Sequence, residues 1–157
     1  VVAGETKRVI SANTTLAYCA QRPWILASSV KSNVALAGSH GEHVEENFKR
    51  PKHIDTDLYT LAVESCLIVD DMAQWPAYDD TEVGERGVSV SGGQKARISL
   101  ARAVYSNADL CILDDPLSAV DAHVGLHILK PCIRGLLAGK TRILVTHNIH
   151  ILGLCER

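Results

Sequence analysis

Hydrophobic and polar positions follow one another along the chain in blocks that predict strands separated by helices. A β-prone run at 15–20 ends at the polar Gln21, and Pro23 stops it from continuing as a paired strand. Two further apolar runs, at 110–113 and 143–145, predict strands in the second half of the chain. The run at 110–113 is unbroken and ends in two carboxylates, which is typical of a strand buried on both faces of a parallel sheet.

Helical spacing and capping residues predict the segments between these strands. A serine at 28–29 caps a short helix that Gly38 closes, and an Asp or Thr at 55–56 caps a second helix. A polar stretch at 39–53 predicts a surface insertion, and the segment 74–87 is rich in turn residues. The second helix carries apolar or small residues at helical spacing, namely Leu58, Leu61, Ala62, Ser65 and Ile68.

Two more helices are predicted in the second half of the chain. One starts after Asp121 and is expected to kink at Pro131. The other begins near Ser91 and buries a stripe of Ala101, Val104 and Tyr105. Strands and helices therefore alternate, which favours right-handed βαβ crossovers and an α/β fold with a parallel sheet.

Composition and charge narrow the class of protein. The chain has 157 residues and 46% hydrophobic content, enough for one packed domain or a large piece of one. A formal net charge of -2 gives no overall positive field, so a nucleic-acid partner is disfavoured. The five cysteines are odd in number and scattered without metal-like spacing, and we interpret them as reduced core residues. No stretch approaches the ~18 consecutive apolar residues of a membrane span, and the N-terminus has no signal-peptide pattern.

Polar side chains that follow predicted strands are the first candidates for a functional site. They are Gln21, Asp114, Asp115 and His147. Ligands of parallel sheets bind where the strands end, so we expect these four side chains to lie along one edge. His123 and His127, four residues apart, are interpreted as helix surface rather than a metal site. His40 and His43 fall in the polar insertion, where a solvated loop is the better interpretation.

The segment SVSGGQKARISLARA, residues 89–103, predicts a tight glycine turn that opens directly into an amphipathic helix. Such a helix start presents backbone N–H groups and the positive end of the helix dipole to an anion. Residues 135–141, GLLAGKT, resemble a phosphate-binding P-loop, but only three residues separate the glycines and a strand follows instead of a helix. We interpret this segment as a helix-to-strand turn in which Lys140 is an ordinary exposed residue.

The order and spacing of these motifs resemble the nucleotide-binding domain of an ABC transporter along the whole chain. The segments DDPLSAVDAHV and TEVGERG are especially similar to the first nucleotide-binding domain of the C subfamily, the multidrug-resistance-associated proteins. The matching segments are the Q-loop at Gln21, the signature motif at 90–94, the Walker B strand at 110–114, the D-loop at 118–121 and the switch histidine at His147.

The resemblance implies an α/β fold of the P-loop NTPase, or RecA-like, type. Its parallel sheet core would carry an inserted helical subdomain and be truncated at both ends. The implied divisions are a partial core at 1–21, a helical subdomain at 22–90, and the rest of the core at 91–157. Val1 to Thr6 would be the tail of the helix that follows the Walker A loop. The implied ligands are ATP and Mg²⁺, and the implied partners are a second nucleotide-binding domain and transmembrane domains at the cytosolic face of a membrane.

The resemblance also implies a role for each candidate residue. Asp114 would hold Mg²⁺, His147 would contact the γ-phosphate, and Gln21 would touch the metal or the attacking water. Asp115 stands where hydrolysing members carry a glutamate, and because aspartate is shorter by roughly 1.5 Å we expect slow hydrolysis. The implied nucleotide-binding residues, which would close over a phosphate held by the partner domain, are Ser91, Gly92, Gly93, Gln94 and Asp121.

Two other functions stay open at this point. One is a soluble ABC ATPase of the DNA-maintenance or translation type, although the DNA enzymes insert a very long coiled coil where Gln21 and Ser91 are separated by a compact helical region. The other is a non-hydrolysing, nucleotide-gated regulatory module. Glu82 and Glu85 either report the nucleotide state to the membrane domains or form a solvated acidic turn. The transported substrate is not encoded in these residues.

Overall fold

Parallel strands from three distant parts of the chain form the main sheet. The computed structural model describes residues 13–36, 53–85 and 87–152. Its strands are β1 (Leu16–Cys19), β2 (Ser28–Ser29), β3 (Glu82–Val83), β4 (Leu110–Asp114) and β5 (Thr141–Val145). β4 lies between β1 and β5, and both pairs are parallel. The predicted strands and the α/β architecture are confirmed.

The register of the main sheet makes its strands begin and end together. Cys19 is level with Leu113, and Asp114 is level with Val145. We call the edge where β1, β4 and β5 end the carboxyl edge, and the opposite edge, where they begin, the amino edge. Loops that follow the three strands therefore meet at the carboxyl edge.

The predicted helix starts agree with the structure. Ser29 Oγ accepts the N–H of Ser32 at 3.1 Å, and Asp55 Oδ1 accepts the N–H of Leu58 at 3.0 Å, so both are N-caps. A 3-10 turn covers Tyr78–Asp80. The α-helices are α1 (Val30–Ala35), α2 (Thr56–Ser65), α3 (Val69–Met72), α4 (Gly92–Tyr105), α5 (Ala122–Ile128) and α6 (Ile149–Leu152).

The second predicted helix is shorter than its apolar spacing indicated. α2 ends at Ser65, and Leu67 has a left-handed backbone with φ of 54°. A left-handed residue does not continue a right-handed helix, so Ile68 enters the core from the start of α3 instead of from α2. Leu61 is also exposed. The buried face of α2 is formed by Tyr59, Ala62, Val63 and Ser65.

α4 is the helix that joins the helical part of the chain to the sheet. It contacts α1, α2 and β1. The predicted buried stripe is confirmed and is wider than expected, comprising Ile98, Leu100, Ala101, Val104 and Tyr105. α4 is therefore packed on both sides, and these contacts set the position of its first turn.

One face of the main sheet is buried and the other is open within the described residues. The buried positions alternate along the strands and include Ala17, Cys19, Cys111 and Leu113. The intervening positions Leu16, Tyr18, Ile143 and Val145 are exposed. The prediction that 110–113 is buried on both faces is therefore wrong, since Leu110 and Ile112 are only half-buried. Among the described residues, the core formed by α4 and its neighbours covers one face of the sheet.

The last predicted helix changes its winding near Pro131. α5 passes into a π-helical stretch, Leu129–Leu136, which contains this proline. Proline has no N–H to donate and crowds the preceding turn, so regular α-helical bonding is interrupted here by a change of winding, where the sequence predicted a kink. The segment 135–141 then turns from this stretch into β5, which confirms that it is not a P-loop. Lys140 is half-buried and donates from Nζ to the carbonyl of Asn107 at 2.9 Å.

The sequence pattern does not predict the small antiparallel pair of β2 and β3. Ser28 lies opposite Val83, which ties the segment after Gln21 to the turn-rich segment. Gly87 is required beside this pair, because a Cβ there would clash with the carbonyl oxygen of Glu82.

Several predictions fall outside the described residues. They concern Val1 to Thr6, Gly38, His40, His43, Cys155 and nearly all of the insertion at 39–53. The other four cysteines, Cys19, Cys66, Cys111 and Cys132, are free and buried, as predicted. Over the ranges given above, the helices are too short or too polar to span a membrane.

Candidate functional site

The predicted polar residues gather at the carboxyl edge. Asp114 is the last residue of β4 and is level with Val145, and His147 follows Val145 by two positions. Gln21 follows the last residue of β1 by two positions and is exposed. The strand-end residues therefore occupy one edge of the sheet, while their chemical roles stay predictions.

Asp115 and His147 form a direct pair at this edge. Asp115 Oδ2 lies 3.0 Å from Nδ1 of His147, and the backbone N–H of His147 donates to Asp115 Oδ1 at 3.5 Å. Asp115 is 5% exposed, whereas the His147 side chain is 82% exposed. With its proton on Nδ1, the imidazole donates to the carboxylate and presents Nε2 on its far side. The buried carboxylate thus orients an accessible ring.

The backbone of Asp115 is left-handed, with φ of 47°. Its N–H donates to the carbonyl of Val145 at 2.8 Å, which continues the contact between β4 and β5 by one residue. Aspartate and asparagine tolerate this conformation better than other residues with a side chain. The turn is what directs the Asp115 carboxylate toward the end of β5.

Tyr18 belongs to the site and was missed by sequence reasoning. Its hydroxyl donates to Asp114 Oδ2 at 3.1 Å. This hydrogen bond to the carboxylate raises the pKa of Tyr18, because it favours the neutral phenol. The available signal was a polar aromatic residue three positions before Gln21, on the exposed side of an alternating strand.

Asp114 has the donor chemistry that Mg²⁺ prefers. It is half-buried at the strand end, and within the described ranges only its Oδ2 atom accepts a hydrogen bond. Mg²⁺ is commonly held by one or two carboxylates together with phosphate oxygens and water. The free Oδ1 atom therefore fits a Mg²⁺ ion that also binds a nucleotide.

The glycine turn, residues 90–94, opens α4 with a complete capping box. Ser91 Oγ accepts the N–H of Gln94 at 3.2 Å, and Gln94 Oε1 accepts the N–H of Ser91 at 2.8 Å. The first N–H groups of an α-helix have no intrahelical acceptor, which here applies to Gly92 and Gly93. Ser91 and Gly92 are exposed. This end of α4 can therefore offer amide donors to an anion.

The side chain of Gln94 is engaged within the chain. Besides its capping bond, Nε2 donates to Asp71 Oδ1 at 2.9 Å. The other oxygen of Asp71 forms an ion pair with Arg97 at 2.8 Å. These contacts anchor the glycine turn to α3. The contact of Gln94 with nucleotide stays a prediction, and it would require the Gln94 backbone or a rearranged side chain.

The glycine turn lies against the segment 118–121, which follows the two carboxylates. A Cβ at Gly93 would lie 2.9 Å from the carbonyl oxygen of Ala119, so only glycine permits this approach. At Gly92 the nearest atom to such a Cβ would be Ala119 Cβ at 3.9 Å, an ordinary contact. Asp121 then caps α5, its Oδ1 accepting an N–H at 3.0 Å. Ala119 thus links the turn to the carboxyl edge.

A further aspartate closes the amino edge. Asp109 Oδ2 accepts the N–H of Thr15 at 3.0 Å and its hydroxyl at 2.8 Å, and the N–H of Asp109 donates back to Thr15 Oγ1 at 3.0 Å. These hydrogen bonds stabilise the carboxylate and hold the pKa of Asp109 below its usual value. Thr15 and Asp109 therefore satisfy one another at this edge.

Comparison with known proteins identifies the family of this chain. The family model described as ABC transporter matches residues 4–118. The chain is 43% identical over 92% of its length to ABC-type transporter cicA of Emericella nidulans. It is 46% identical over 95% of its length to ATP-binding cassette sub-family C member 2 of Mus musculus, and 46% identical over 93% to multidrug resistance protein mrp-7 of Caenorhabditis elegans. It spans 9% of the length of each of these relatives.

Proposed function

We propose, from the premise that this chain belongs to the ABC transporter family as a nucleotide-binding domain of its C subfamily, that it couples ATP binding and hydrolysis to the export of substrates across a membrane. The observation that carries the proposal is the carboxyl edge, where the strand-end residues lie beside a glycine turn that packs on Ala119. An edge with carboxylate oxygens and an amide-rich helix start matches the two needs of a magnesium nucleotide.

Residues of this edge would divide the work of holding and cleaving ATP. Mg²⁺, when bound through Asp114, neutralises charge on the β- and γ-phosphates. Tyr18 would hold Asp114 through Oδ2, which leaves Oδ1 as the atom that would bind the ion. His147, oriented by Asp115, would contact the γ-phosphate, and Gln21 would position water or touch the metal.

Slow hydrolysis at this site is part of the proposal. Asp115 is shorter than glutamate, and both of its oxygens already face His147, at 3.0 Å from the ring and 3.5 Å from the backbone N–H. A carboxylate held in this way is poorly placed to polarise an attacking water. Misplacement on the order of 1 Å can cost about a hundredfold in rate.

The exposed glycine turn supports a shared site. We propose that Ser91, Gly92 and Gly93 close over the γ-phosphate of a second nucleotide-binding domain packed head to tail, with Asp121 at the same interface. The amide groups and the end of the helix dipole would stabilise that phosphate. The domain would act at the cytosolic face of a membrane, joined to transmembrane domains, in keeping with the first such domain of the C subfamily. The 157 residues alone should hydrolyse little ATP, since no P-loop occurs in the sequence.

The test is a glycine substitution that fits within this chain but would keep the glycine turn away from the phosphate held by the partner domain. Gly92→Ala adds a methyl group that only reaches ordinary contact distance from Ala119. We expect the full-length protein to fold normally but to lose most of its MgATP turnover, by roughly tenfold or more, because the amides no longer approach the phosphate. Gly139→Ala is the control, since nothing lies within 4 Å of its added Cβ. Wild-type turnover in Gly92→Ala would overturn the shared site.

A further inference from the structure

Arg102, near the end of α4, forms a buried network with the segment that follows Gln21. Its Nε atom donates to the carbonyl of Asn33 at 2.7 Å, and Nη2 donates to Asn33 Oδ1 at 3.2 Å and to the carbonyl of Trp24 at 3.3 Å. The guanidinium carbon also lies 3.6 Å from the centre of the Trp24 ring, a stacked cation–π contact. A single side chain of α4 thus holds both α1 and residue 24.

Asn33 extends this network through the backbone of residues 24–29. It is fully buried, and its Nδ2 atom donates to the carbonyls of Leu26 at 3.1 Å and Ser29 at 3.0 Å. Its Oδ1 atom accepts the N–H of Leu26 at 2.9 Å as well as the bond from Arg102. The backbone therefore wraps around Asn33, and Arg102 fixes this unit to α4.

Stability alone does not account for a buried arginine here. Burial lowers the pKa of Arg102 to about 10, which leaves it charged at neutral pH. Within the described residues it has no ion pair with a carboxylate, and its acceptors are neutral carbonyl oxygens. Apolar side chains that fill the same volume are often as stabilising as buried charges. What the rigid guanidinium fork adds is a fixed register between the elements it joins.

The two ends of α4 connect this network to the glycine turn. Arg102 follows Gly92 by ten residues, roughly 15 Å along a helix that rises 1.5 Å per residue. α4 is continuous over this distance, so a displacement at Arg102 moves its first turn as well. At the other end of the network, Gln21 is exposed at the carboxyl edge and the Trp24 side chain is 46% exposed.

We propose that Arg102 is a positioning residue through which the segment 21–29 sets the position of the glycine turn. The inference rests on the proposed function and deepens it. A change in the contact between Gln21 and the nucleotide would be passed through Trp24 and Asn33 to Arg102, and along α4 to the turn that closes over the partner's phosphate. The positions of the carboxyl-edge site and of the shared site would then be linked through the segment 21–29, Arg102 and α4.

The experiment weakens the network from its accessible side. Trp24→Ala removes the stacked ring but keeps the carbonyl that accepts from Arg102, so the hydrogen bonds of Asn33 persist. With MgATP as the probe and full-length protein, we expect kcat to fall roughly three- to tenfold with KM unchanged, since a misplaced turn affects closure more than the first binding of nucleotide. Trp24→Phe should restore kcat, because a ring again stacks on the guanidinium. Arg102→Lys, which keeps the charge but loses the fork, should show the same split between kcat and KM.

Leu61→Ala is the matched control, because Leu61 is also 46% exposed but lies on α2 away from the network. It should leave kcat and KM unchanged. The inference is overturned if Trp24→Ala and Arg102→Lys keep wild-type kcat per folded molecule, or if they raise KM alone. Absence of MgATP turnover in the wild-type protein would instead contradict the proposed function, and the inference with it.

Discussion

The two edges of the sheet both carry aspartates, but these aspartates are held in opposite ways. At the amino edge, Asp109 exchanges three hydrogen bonds with Thr15, and its pKa falls. At the carboxyl edge, Asp115 has a left-handed backbone and pairs with an exposed histidine, while Asp114 keeps one oxygen without a partner in the described part of the chain. Acid side chains at one edge complete the fold, and at the other they remain available to a ligand.

This difference explains why residue type alone does not identify the site. An aspartate next to a strand end is satisfied by its neighbours when, as at Thr15, a donor lies level with it. At the carboxyl edge, the neighbouring strands supply the Tyr18 hydroxyl and the exposed His147 ring. These groups leave carboxylate and imidazole atoms available to bind a cation or a phosphate. The comparison predicts that equal substitutions at the two edges have unequal effects on activity.

The largest expected effect comes from matched amide substitutions at the two edges. Asp114→Asn removes the charge that would hold Mg²⁺, and MgATP turnover of the full-length protein should fall on the order of a hundredfold. Asp109→Asn should leave turnover within about twofold of wild type, because it changes only the amino edge. Steady-state hydrolysis assays on both variants measure the contrast. Equal losses, or none in Asp114→Asn, would remove the distinction between the edges.

Glycine substitutions give the next largest effect, on stability. Gly93→Ala places a methyl group 2.9 Å from the carbonyl oxygen of Ala119, and we expect it to cost roughly 1–3 kcal/mol of unfolding free energy by overpacking. Gly139→Ala, in the turn before the amino edge, meets no atom within 4 Å and should be neutral or slightly stabilising. Thermal unfolding midpoints of the full-length variants compare the two. Similar midpoints would mean that the glycine turn does not pack tightly on Ala119.

The smallest expected effect concerns the acid sensitivity of the amino edge. Because the pKa of Asp109 is lowered in the folded state, its contribution to stability is present above the unfolded value of about 3.9 and is lost as pH falls through the folded value. Hydrogen-exchange protection of the Thr15 and Leu110 amides should therefore be lower in Asp109→Asn than in wild type at neutral pH. The two proteins should converge in acid, and a difference that persists there would contradict the assignment.

Local signals in the sequence predicted much of this structure. Helix starts were predicted at a serine of 28–29, at an Asp or Thr of 55–56 and near Ser91. Each cap in the structure bonds to an N–H three positions ahead, so the local pattern contains its partner. The alternation of strands and helices likewise predicted a parallel sheet, and therefore a common edge for Gln21 and His147.

Features that depend on distant partners could not be predicted in the same way. An apolar run such as 110–113 does not specify how many faces of its sheet are covered, and here one face is open within the described residues. The contact of Tyr18 with Asp114 depends on register between strands far apart in sequence. Nothing in the sequence around Arg102 distinguishes it from other polar residues of a helix. Its contacts with Trp24 and Asn33 join residues far apart in the sequence and arise only from the fold.

The most direct test of the account is Asp115→Glu in the full-length protein. A glutamate extends the carboxylate by roughly 1.5 Å, beyond its contact with His147, toward the place of an attacking water. We expect MgATP turnover to rise by roughly tenfold to a hundredfold. The folded fraction is measured alongside, because glutamate tolerates the left-handed backbone less well. Unchanged or lower turnover per folded molecule would contradict the claim that a short carboxylate at the carboxyl edge limits hydrolysis.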